Sequence, residues 1–95
     1  MRAIYKYPID EKCIFNLPHY VEKFLKLDFQ NNIPTLWAIV DTEKAPNFIY
    51  AFPIGTGWDL SEADQDPIEK NLPYLGTIQT SLGFVWHYFA VPVTD

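Results

Sequence analysis

EKFLKLDFQNNIPTLWAIVD, residues 22–41, is the stretch whose reading decides the fold. Its first half, EKFLKLDFQ (22–30), invites a helical reading, but on a helix its charged and apolar residues do not separate cleanly. As a strand it puts Leu25, Leu27 and Phe29 on one face and Phe24, Lys26, Asp28 and Gln30 on the other. Asn31-Asn32-Ile33-Pro34 is a turn signal, and TLWAIVD (35–41) is rich in β-formers. The pair predicts a β-hairpin with a short loop.

The same period of two extends both ways along the chain. RAIYKY (2–7) alternates and stops at Pro8; KCIFNL (12–17) is a second short strand closed by Pro18. After the turn EKAPN (43–47), FIYAFPI (48–54) is a strand whose Pro53 cannot donate to a ladder, which suits a sheet edge or bulge. Residues 59–73 form one long connection, with a weak helix-cap signal at Ser61 and Asp64. PYLGTIQTS (73–81) and FVWHYFAVPV (84–93) close the chain around a tight turn at Leu82-Gly83. The last run is apolar on both faces, as a central strand should be. About seven strands in sequence-adjacent pairs predict a mainly β fold. The expected form is a small antiparallel β-sandwich or partly open barrel with at most one short helix, a single domain over residues 1–95. The alternative is an α+β fold with a helix near 18–27.

Composition narrows the function. Hydrophobic residues make up 48% and aromatics 17% of the 95 residues, well outside the disordered class. No apolar run reaches the roughly 18–20 residues of a membrane span, and the N-terminus lacks a secretion signal, so a cytosolic setting is expected. The single cysteine, Cys13, reads as a small core residue in an apolar run. A formal net charge of −5 argues against direct nucleic-acid binding. Asp59, Glu62, Asp64, Asp66 and Glu69 crowd into the long connection and read as a solvated loop. Sixteen aromatics exceed what one small core can hide, which favours a binding or self-associating surface.

The chemistry-bearing candidates are few. FPIGTGWDL (52–60) places Thr56 between two glycines, which frees backbone amides to face an anion. It lacks the glycine spacing, lysine and following helix of a P-loop, so a turn is the plainer reading. Trp58 beside it is suited to stacking on a base. His87 alternates with Val85, Phe89 and Val91 and reads as a core histidine. His19 lies in the loop LPHY. Neither has a partner set that makes a catalytic centre, and two histidines with one cysteine do not make a zinc site. No catalytic residue, metal or cofactor is expected.

The ordered motifs IYKYPI (4–9), LP (17–18), QNNIPTLWAIVD (30–41), IGTG (54–57), YLGTIQ (74–79) and FVWHYF (84–89) carry a resemblance spanning nearly the whole chain. Together they resemble a family of small, uncharacterised tailed-bacteriophage proteins that contain a domain of unknown function. Asn31-Asn32 and Trp58 depart from that family's pattern. The resemblance implies a phage accessory protein at work in the host-cell cytoplasm, and accessory proteins of this kind commonly act by binding. The resulting expectation is an anti-defence protein, not an enzyme, that sequesters a nucleotide-derived immune signal as a homo-oligomer. In that reading Gly55, Thr56 and Gly57 hold phosphate, Trp58 and Tyr50 stack on the base, and Arg2 or Lys6 neutralises charge. The alternative is inhibition of a host defence protein through an exposed aromatic face and the acidic connection.

Overall fold

The computed structural model describes residues 1–9, 17–46 and 48–92. Six strands run through them: β1 (Arg2–Pro8), β2 (Tyr20–Gln30), β3 (Ile33–Asp41), β4 (Ile49–Gly55), β5 (Tyr74–Gln79) and β6 (Val85–Pro92). They form two three-stranded antiparallel sheets, ordered β1-β3-β2 and β4-β6-β5. The chain is thus mainly β, as its period of two predicts. A single 3-10 turn, Leu60–Glu62, is the only helical element among the described residues. The expected strand KCIFNL lies outside the described residues except for Leu17, as does Cys13. Leu17 is buried, and its amide donates to the Ile49 carbonyl at 3.2 Å.

The helix near 18–27 does not form, because residues 20–30 are one continuous strand paired with β3. The simple alternation expected for that strand does not hold either. Register shifts between Val21 and Lys23 and between Phe24 and Lys26 each admit one extra residue. A bulge of this kind turns the following side chain to the opposite face. Val21, Phe24 and Leu27 therefore lie opposite Val40, Ala38 and Leu36 and share the inward face, while Leu25 is left exposed. Inward residues spaced three apart explain why this strand invites a helical reading.

The core sits between the two sheets. Leu36, Ala38 and Val40 on the central strand β3 are fully shielded, and Tyr7 from β1 joins them. From the second sheet come Ala51, Ile78, Tyr88 and Ala90. The sheets approach most closely where β5 crosses β2: a Cβ on Gly76 would stand 2.8 Å from the Leu27 Cβ. Gly76 follows a bulge in β5 and has φ +154, so glycine is required there both by backbone and by space.

The turns position the site. Asn31 and Asn32 take φ of 51 and 66, the doubly left-handed conformation of a type I′ hairpin, which asparagine tolerates well. At the same end of the sandwich, Thr80 through Phe84 close the β5–β6 hairpin, with the Gly83 amide donating to the Thr80 carbonyl at 3.0 Å. Gly55 through Trp58 leave β4 at that end too, since Gly55 pairs with Trp86 at the start of β6.

Candidate functional site

Where these turns meet, the two sheets part into a cleft of about 850 Å³. Ile9, Ile78, Trp86 and Tyr88 provide an apolar floor; Phe29 and Ile33 come from the β2–β3 hairpin. Asn32, Gln79, Thr80 and Ser81 give the rim its amide and hydroxyl groups. An apolar interior with a few convergent polar groups is the usual make-up of a small-molecule site, and the size falls within the common range of about 300–1,000 Å³. None of the described residues lining the cleft is charged.

Trp86 links this cleft to the Gly-Thr-Gly turn. Its ring meets Trp58 edge-on at 5.3 Å between centroids and stacks against Phe84 at 6.3 Å. Trp58 and Phe84 are themselves exposed, 56% and 60%. Three aromatic rings therefore run in a partly wet row along one end of the molecule. Part of the aromatic excess noted in the sequence lies here.

The turn itself is tight. The Trp58 amide donates to the Gly55 carbonyl at 3.2 Å, and Gly57 takes φ +87 at the third position, as a type II turn demands. The Thr56 amide donates to the Val85 carbonyl at 3.2 Å. Gly55 is held against the Trp58 indole, whose nearest atoms would lie 2.7 Å from an added Cβ. Gly57 faces open space, with nothing within 4 Å of the position a Cβ would take. Two of the amides in this turn are thus engaged by carbonyls, while Gly57 lies open.

The Thr56 hydroxyl is 2.6 Å from His87 Nε2, and the Thr77 hydroxyl is 2.9 Å from His87 Nδ1. Tyr74 Oη hydrogen-bonds Thr77 in turn. This corrects the expectation of a core histidine: inward-facing residues of β6 are Trp86, Tyr88 and Ala90, so His87 lies on the outer face, where hydroxyls satisfy both ring nitrogens. Alternation alone could not say which face of an all-apolar strand is inward, because Phe89 and Val91 read the same as Tyr88 and Ala90.

Of the other site residues foreseen, the structure brings only some together. Gly55, Thr56, Gly57 and Trp58 share the turn. Tyr50 lies at the opposite end of β4, paired with Val91. Arg2 and Lys6 are on the outer face of the first sheet, whereas the turn belongs to the second. Arg2 Nε donates to Glu22 Oε2 at 2.8 Å, and Lys6 Nζ to Gln30 Oε1 at 2.9 Å. The Arg2 hydrogen bond holds the Glu22 carboxyl below its ordinary range. The cleft residues Asn32, Gln79, Thr80 and Ser81 escaped sequence reasoning. Asn32, Thr80 and Ser81 lie in turns, where polar residues are the default and so carry no signal, and Gln79 is the last residue of β5.

A second, smaller pocket of about 520 Å³ opens where the connection passes over Phe52 and Ile54. Its walls include Trp58 and the carboxylates of Asp59, Glu62 and Asp64. Asp59 accepts from both the Ser61 hydroxyl, at 2.7 Å, and the Ser61 amide, which together lower its pKa. The acids make this pocket unfavourable to phosphate. Among the described residues no cluster of three or more His, Cys, Asp or Glu is placed to hold a metal. No helix among them is long and apolar enough to cross a membrane.

The whole sequence, residues 1–95, matches one family model. The chain belongs to the family described as a domain of unknown function, DUF7352. No curated protein and no solved structure matches it. Membership in DUF7352 covers every element of the cleft and both turns beside it, but its description assigns no activity.

Proposed function

We propose that this domain is a phage anti-defence accessory protein that captures a nucleotide-derived signal and holds it chemically unchanged. The observation that carries this reading is the cleft at the turn end of the sandwich, floored by Trp86 and rimmed by Asn32, Gln79, Thr80 and Ser81. A planar base enters such an apolar slot, and rim amides and hydroxyls pair with its edges. The phosphates then extend toward Thr56 and Gly57, next to Trp58. The ligand class is a cyclic oligonucleotide or an ADP-ribose derivative, met in the host-cell cytoplasm. In a homo-oligomer, the Arg2 and Lys6 face of a neighbouring copy would supply the positive charge that this turn lacks.

The test is thermal unfolding against a panel of cyclic oligonucleotides and ADP-ribose derivatives, followed by recovery of the ligand. At about 100-fold excess over Kd, binding to the folded state adds about 2.7 kcal/mol. For a domain of this size that is a rise in Tm of about 10–20 °C. Recovery of unaltered ligand supports capture, whereas a product would make the protein an enzyme. No shift with any ligand sinks the proposal.

A second reading has one observation in its favour. Ile68 is 86% exposed within the acidic connection, between Asp66 and Glu69. An apolar side chain standing among carboxylates suits docking on a basic host protein. Ile68→Ala would then abolish inhibition of the host target and leave any nucleotide-induced shift intact.

A further inference from the structure

The exposed chain Thr56–His87–Thr77–Tyr74 has no evident part in the core, yet it joins a turn and two strands through three consecutive hydrogen bonds. We infer that Thr56, Gly57 and His87 form a proton-gated site for an oxyanion, the phosphate of a nucleotide ligand. This deepens the proposed function by assigning the phosphate-holding groups, and it rests on that reading only for the ligand's biological source.

A neutral imidazole donates through one nitrogen and accepts through the other. The tautomer then decides whether the Thr56 hydrogen is engaged. With Nδ1 protonated, Thr56 donates inward to Nε2 and the spare hydrogen lies on Thr77 or Tyr74; with Nε2 protonated, Thr77 donates to Nδ1, Tyr74 donates to Thr77, and the spare hydrogen lies on Thr56. Protonation makes both ring nitrogens donors, so Thr56 and Thr77 both accept. The Thr56 hydrogen is then turned outward in every arrangement, with a positive charge directly behind it. Beside it, Gly57 lies at φ +87 with nothing within 4 Å of its Cβ position, and its amide has no carbonyl partner among the described residues. A hydroxyl donor, an amide donor and an imidazolium behind them are what an oxyanion requires.

The surroundings of His87 set the size of the effect. From β5 it meets Thr77 and, through it, Tyr74; from β4 the residue opposite is the apolar Ile54. From the connection, Asp59, Glu62 and Asp64 line the pocket that begins at Ile54. Their charge opposes an anion nearby. Glu62→Gln with Asp64→Asn should therefore strengthen anion binding, whereas Asp59 is left in place because it caps the 3-10 turn.

Sulfate is the probe, because its own charge is fixed across the range of about pH 5–8 in which imidazoles titrate. Binding would be followed by the Thr56 and Gly57 amide resonances in NMR at about pH 5.5 and about pH 8, with the ring resonances of His87 in the wild type reporting its protonation. The expected result is sulfate affinity about tenfold higher at the lower pH. By reciprocity, saturating sulfate should then raise the His87 titration midpoint by about one pH unit. Thr56→Val should lose sulfate at both values while keeping its β circular dichroism. His87→Gln, which keeps a donor and an acceptor without the charge, should bind weakly and equally at both. Sulfate affinity independent of pH, undiminished binding by Thr56→Val, or no binding at about pH 5.5 would each overturn the site. A nucleotide that stabilises the wild type and Thr56→Val equally would leave the cleft standing and remove this site alone.

Discussion

Replacing Gly76 by alanine tests the meeting of the two sheets more directly than any other change. The added Cβ would lie 2.8 Å from the Leu27 Cβ, where relaxed carbon–carbon contact is about 3.5–4.0 Å. Strands β2 and β5 would have to separate by about 0.7–1.2 Å. Overpacking of this kind costs about 1–3 kcal/mol. The backbone adds a cost of its own, because φ +154 is a conformation that a side chain disfavours by about 1–3 kcal/mol. The expected loss is therefore about 2–6 kcal/mol out of a typical domain stability of about 5–15. At about 3 kcal/mol, Tm falls by about 12–24 °C. Urea unfolding followed by tryptophan fluorescence and far-ultraviolet circular dichroism would measure it. The contact is to a Cβ, so shortening the neighbour with Leu27→Ala should not rescue the variant. A loss below about 0.5 kcal/mol, or a Gly76→Ala, Leu27→Ala double variant as stable as Leu27→Ala alone, would refute the close approach described here.

Gly55→Ala should be milder, about 1 kcal/mol, because the atoms it meets belong to the exposed ring of Trp58, which can swing away. Its signature would be a change in tryptophan fluorescence as the Trp58–Trp86 contact opens. Leu36→Ala, at the centre of the core, should cost about 2–5 kcal/mol in the same unfolding assay. Asn32→Gly should change stability by no more than about 0.5 kcal/mol, since asparagine already accepts φ 66. Glu22 has a lowered pKa in the folded chain, chiefly through the Arg2 hydrogen bond. Its contribution is therefore present above the ordinary carboxylate range, about pH 4.3, and lost as pH falls through the folded value. Glu22→Gln should flatten the acid side of the stability profile slightly, because both partners are solvent-exposed.

What the amino-acid sequence determined by itself was the set of strands and the turns between them. Side-chain alternation, β-branched content and the placement of Pro, Gly and Asn act over a few residues, so they can be read without knowing what lies across the sheet. The β2–β3 hairpin, the Gly-Thr-Gly turn and the tight turn at Gly83 were legible for that reason. Which face of each strand turns inward was settled only in three dimensions. In β2, two bulges carry Phe24 inward and leave Leu25 outside, and a bulge is a property of paired strands that one strand does not encode. In β6, where both faces are apolar, the opposing sheet decides that Tyr88 is core and His87 is not. The candidate site is of the same kind. Trp86, Asn32 and Ser81 come from three distant stretches, and only the packing of one sheet on the other joins them into a cleft. Arg2 stands apart from Thr56 for the same reason, since each follows its own strand to a different sheet.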